Sequence, residues 1–154
     1  MFQAGTECNT DPGEVFVWWE WLPGFQIRIS NFPISVGNSI FCQLTVLSNT
    51  TGKVIFCNVT GAYPWPTVSF NVSSPSGTPL SRNVAEWIVE RPTVNGVVSR
   101  LANYGEVNFW DCVSFGGGGL PTSQGLADMV DETGRIVSSP QLGGQFGIKC
   151  RYVG

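Results

Sequence analysis

Glycine and proline punctuate this chain so closely that a long helix has no room in it. Nineteen glycines and ten prolines are spread along 154 residues. The short apolar runs between them are rich in Val, Ile, Phe and Trp, residues that suit a pleated surface better than a helix. The spacing predicts strands over 14–22, 25–30, 39–47, 53–59, 66–73, 83–90, 105–115, 125–131, 135–138 and 145–153. Strands this short, separated by regular turn signals, predict an all-β antiparallel two-sheet sandwich. Turns are expected at Leu22-Pro23-Gly24 and Asp131-Glu132-Thr133-Gly134, and a loop over the glycine run 116–119. There is no repeat, linker or break in composition, so one domain over 1–154 is expected.

Composition removes several kinds of chemistry. The chain has no histidine, which excludes Ser-His and Cys-His nucleophile pairs and the commonest zinc ligand. Acid–base work would fall to carboxylates, Tyr, Lys or Cys. Eight basic residues against eleven acidic ones give a net charge of −3, which argues against a nucleic-acid partner. Charged residues are only 12% of the chain, which suits an acidic medium because few carboxylates need protonating there. No run reaches the length of a membrane-spanning helix. No metal or cofactor is expected.

Cys8, Cys42, Cys57, Cys112 and Cys150 form no CxxC motif. Three N-x-S/T sequons stand at Asn49, Asn58 and Asn71. Together they favour a secreted protein with disulfides, one thiol being left over. Asn49 falls in a predicted turn, and Asn71 points away from the apolar face of its strand. Asn58 shares a face with Val54 and Phe56, which disfavours a glycan there. Met1 to Gly13 shows no secretion signal, so a cut or misassigned N-terminus is expected.

Two segments are candidates for chemistry. On a strand over 83–90, Val84, Glu86, Ile88 and Glu90 face one way, and Ala85, Trp87 and Val89 the other. Apolar neighbours raise a carboxylate's pKa, which suits a general acid or base. The same pattern also fits two glutamates on a plain solvent face. The second segment, Val15 to Pro23, carries Trp18, Trp19, Glu20 and Trp21. It is either a central core strand or the aromatic wall of a cleft. The start, Phe2-Gln3-Ala4-Gly5, carries no signal by itself.

These segments, in this order, resemble the glutamic peptidase family, the eqolisins, from Phe2 to Val153. Ala85-Glu86-Trp87-Ile88-Val89-Glu90 is similar to the family's A-E-W-I-V-E segment. Val17-Trp18-Trp19-Glu20-Trp21-Leu22-Pro23 resembles its W-Y-E-W-Y-P strand, and Phe2-Gln3-Ala4-Gly5 its L-Q-T-G segment. The resemblance implies a concanavalin-like jelly roll, a monomer, and acid endopeptidase activity on polypeptides. It implies Glu86 as general base and Gln3 as oxyanion donor. It implies Trp19, Glu20, Glu7 and Glu90 as residues lining the substrate cleft, flanked by the tip 22–25 and the loop 91–96. Family members carry a W-V-G-I-D-G segment before the glutamine, which this chain lacks. A strand is therefore expected upstream of Met1, with a sheet edge unpaired here. Two other readings stay open: a non-catalytic carbohydrate- or protein-binding sandwich, and an inactive fragment of the same family.

Overall fold

The computed structural model describes residues 1–9, 13–94, 96–116 and 119–154. Its secondary structure is β, apart from one 3-10 turn at Ser123–Gly125. All strand pairs are antiparallel. The chain forms two compact units, Met1–Ser81 and Arg82–Gly154.

In the first unit, β1 (Phe2–Cys8), β2 (Val15–Trp21) and β3 (Ile27–Arg28) make one sheet, with β2 in the middle. A second sheet orders β4 (Ile40–Val46), β5 (Thr51–Asn58) and β6 (Thr67–Ser73). Strand β5 is buried at every second residue: Gly52, Val54, Phe56 and Asn58. That is what a central strand with one face on a core must do. The core centres on Val17, Trp21, Val54, Phe56 and Val72, with Phe2, Ala4, Trp19 and Phe70 packed around it.

Strand β1 is absent from the sequence-based expectation, because Gln-Ala-Gly-Thr carries little strand propensity of its own. Its partner supplies what propensity does not. Seven residues pair in unbroken register with β2, from Phe2 opposite Trp21 to Cys8 opposite Val15. Phe2 also stacks on Trp21 with ring centroids 4.8 Å apart. Its ring sits where only a glycine fits. A Cβ built on Gly52 would lie 2.5 Å from the Phe2 ring.

In the second unit, β7 (Thr93–Val94) and β8 (Val97–Val98) form a small hairpin, closed by Ser99 N–H donating to the Pro92 carbonyl. A four-stranded sheet orders β10 (Met129–Val130), β11 (Ile136–Leu142), β12 (Ile148–Tyr152) and β9 (Glu106–Phe109). Buried Cys112, Ile148 and Cys150 form its core, with Trp87, Val89, Tyr104, Phe109 and Leu126 against them.

Two expectations change here. Residues 83–90 form no strand ladder, yet Trp87 and Val89 still pack inward while Glu86, Ile88 and Glu90 are exposed. The alternation survives without a paired neighbour. The predicted strand 105–115 stops at Phe109. Asp111 then takes a left-handed φ of 51°, a conformation no strand accommodates.

The turn at Asp131 forms as expected. Its Oδ1 accepts from Thr133 N–H, Thr133 O–H and Arg135 N–H. Asn95 and Gly117–Gly118, inside the two expected loops, lie outside the described residues.

All five cysteines are free thiols, where disulfides were expected. Cys42 and Cys57 sit on adjacent strands, but Cys42 is opposite Phe56 and Cys57 opposite Phe41. One residue out of step, they project to opposite faces of the sheet.

Candidate active site

The face of β1 and β2 turned away from the core carries the polar residues. Phe2 and Ala4 pack inward, opposite Trp21 and Trp19. Gln3, Gly5 and Glu7 therefore face outward, opposite Glu20, Trp18 and Phe16. Gln3 and Glu20 are direct cross-strand partners, and Gln3 Nε2 donates to Glu20 Oε2 at 2.7 Å.

Trp18 covers the next position. A Cβ on Gly5 would lie 3.4 Å from its ring, so the indole covers Gly5 of β1. Further along, Glu7 accepts from Gln26 Nε2 at 2.7 Å. Arg28 pairs with Glu14 at 2.7 Å and lies 4.4 Å from the centre of the Phe16 ring. The face thus runs from an amide–carboxylate pair, past an indole, to a paired charged end.

Trp19 belongs to the opposite face. It packs against the core and meets Phe70 with ring centroids 6.2 Å apart. The residue that shares the Gln3 face is Trp18, which sequence reasoning passed over. The signal was available: alternation about Glu20 puts Trp18, not Trp19, beside it.

Glu86 and Glu90 lie in the second unit, on the exposed side of 83–90. Val84 and Ile88, expected to wrap Glu86 in apolar surface, are themselves 65% and 47% exposed. Arg91, next in the chain, is held at both ends of its guanidinium. Its Nε donates to the Ser99 carbonyl at 2.7 Å, and Nη2 lies 3.6 Å from Glu132. That fixes the base of the hairpin that follows the two glutamates.

The sequons separate physically. Asn49 and Asn71 are exposed. Asn58 is buried, donating to the Pro33 carbonyl and Asn38 Oδ1 and accepting from Thr60 N–H. A glycan on Asn58 would break that set of hydrogen bonds. Among the described residues no group of three or more Cys, Asp or Glu side chains is placed to hold a metal.

Residues 1–152 match the Peptidase A4 family. This chain belongs to that family. Aspergillopepsin-2 of Aspergillus niger is 26% identical over 149 residues, 94% of this chain and 51% of that protein. Scytalidopepsin B of Scytalidium lignicola is 35% identical over 90 residues, 58% of this chain and 33% of that one. The chain thus spans about half, or less, of the length of these curated relatives.

Among solved structures, aspergilloglutamic peptidase from Aspergillus niger aligns with a TM-score of 0.81 at 23% identity, over 99% of this chain and 88% of that one. Scytalido-glutamic peptidase with a transition state analog inhibitor aligns at 0.72 and 24%, over 99% and 75%. These two likenesses establish the fold of this Peptidase A4 member as the antiparallel β-sandwich of the glutamic peptidases.

Proposed function

We propose that this chain is an acid endopeptidase in which Glu86 activates water and Gln3 stabilises the oxyanion. The single observation that carries the reading is the family match over residues 1–152, which spans both glutamates of 83–90 and the Gln3 strand. The same match supports reading residues 1–154 as one family domain.

The chemistry is spare. The Glu86 carboxylate accepts a proton from water as the water oxygen bonds to the scissile carbonyl carbon. Gln3 Nε2–H donates to the carbonyl oxygen as negative charge builds there. Glu86 then returns the proton to the leaving nitrogen, and the C–N bond breaks. Every proton removed is accounted for, and no histidine is needed. Trp18, Glu20, Glu7 and Glu90 would line the approach, with an extended polypeptide as substrate. The protein would work outside the cell as a monomer, carrying glycans at Asn49 and Asn71.

The test is digestion of a denatured protein at acid pH by the purified chain and its Glu86→Gln variant. The reading expects peptide products from the first and none from the second. Equal digestion by both defeats it.

A further inference from the structure

We propose that Glu20 is a positioning residue for Gln3, its carboxylate fixing which end of the Gln3 amide meets a substrate carbonyl. The inference rests on reading Gln3 as the oxyanion donor and names the group that aims it.

A glutamine amide has a donating end and an accepting end of nearly equal shape. The torsion that exchanges them is broad and soft, so an unheld amide presents either. An oxyanion hole needs the nitrogen; an oxygen aimed at a developing negative charge opposes the reaction. A carboxylate oxygen that accepts from the amide nitrogen removes the ambiguity. Glu20 Oε2 lies 2.7 Å from Gln3 Nε2, so the nitrogen is drawn to the β2 side and Oε1 is turned from it. The amide nitrogen keeps a second N–H, available to a ligand.

Both backbones are firmly held. Gln3 lies inside the seven-residue ladder of β1 on β2. Glu20 stands between Trp19 and Trp21, whose rings pack into the core. The other charged groups on this face are engaged elsewhere: Glu7 with Gln26, and Glu14 with Arg28. Within this unit Glu20 is therefore the group that orients the Gln3 amide.

The experiment compares Glu20→Gln and Glu20→Ala with wild type by steady-state peptide cleavage. It also follows the Gln3 side-chain amide by ¹H–¹⁵N NMR, assigned by its loss in Gln3→Ala. The isosteric glutamine keeps an accepting oxygen and serves as the folded reference. Expected is a graded fall in kcat, small for Glu20→Gln and about 10²-fold for Glu20→Ala, with KM changing less than about two-fold. The Gln3 amide signals should shift in both variants.

A kcat that holds while KM rises would make Glu20 a substrate contact and overturn the inference. Gln3 signals unmoved in Glu20→Ala would overturn the bond itself, whatever the activity. If wild type and Glu86→Gln are equally inactive, the peptidase reading fails instead, and the inference falls with it.

Discussion

A single glycine sets how closely the residue proposed for catalysis is held. Gly52 leaves room for the Phe2 ring, and Phe2 stacks on Trp21, one residue before Gln3 in the chain. Adding a methyl group at position 52 must displace that ring, because the two would meet at 2.5 Å. Overpacking of this kind costs about 1–3 kcal/mol. Gly52→Ala should lower the urea midpoint, and Phe2→Leu should recover part of the loss in the double variant, as coupled neighbours do. Strictly additive midpoints would mean the two sites do not meet. None of this was legible in the sequence, where the expected strand 53–59 began after Gly52 and Phe2-Gln3-Ala4-Gly5 carried no signal by itself. The sequons were more legible. The shared face of Asn58, Val54 and Phe56 already pointed to burial, and the three hydrogen bonds on Asn58 give the reason. Mass spectrometry of protein made through a eukaryotic secretory pathway should find glycans at Asn49 and Asn71 and a bare Asn58.

Elements declared themselves in the sequence where strand-forming residues clustered between turns, and hid where a partner did the work. Strands β2, β4, β5 and β6 fall within about two residues of their predicted ranges, because short runs rich in β-branched and aromatic residues are bounded there by turn signals. Strand β1 hid because pairing with β2, not propensity, makes it a strand. Segment 83–90 showed the reverse: its two faces were readable, its missing ladder was not.

The β9–β12 pair carries an electrostatic consequence. Glu106 and Asn108 lie opposite Arg151 and Lys149 on one exposed face. Glu106 bonds Arg151 Nε at 3.0 Å, Lys149 Nζ at 3.1 Å and Asn108 Nδ2 at 3.1 Å. Arg151 first, then Asn108 and Lys149, hold its carboxyl down to about 2 from an ordinary 4.5. A carboxyl whose pKa falls on folding stabilises the fold above its unfolded pKa and loses that contribution as pH drops through the folded one. Wild type should therefore exceed Glu106→Gln in urea midpoint at pH 6, and the gap should close between about pH 4.5 and 2. A gap that widens on acidification would show the cluster is not held by that charge. Asp131 is likewise held to about 2, chiefly by the Thr133 hydroxyl. Both turn and sheet thus keep their charged contacts in acid.

At the scale of the whole molecule, composition narrowed the chemistry more than it identified it. The lack of histidine leaves proton work to carboxylates, Tyr, Lys or Cys, and a glutamate that carries the proton beside a glutamine that donates a hydrogen bond is a chemistry that needs no histidine. Fold class was readable because turn residues and short apolar runs recur throughout. The proposed site rests on three short segments held together by resemblance, since no spacing rule links Gln3 to Glu86 across 83 positions. Their cooperation is the central claim, and a kinetic cycle on the two tests it most directly. Rates of peptide cleavage at acid pH would be measured for wild type, Gln3→Ala, Glu86→Gln and the double variant. Two groups serving one transition state should lose activity together: roughly 10²–10³-fold for Gln3→Ala, more for Glu86→Gln, and no further fall in the double variant. Near-wild-type turnover in either single variant, or losses that simply multiply, would contradict it.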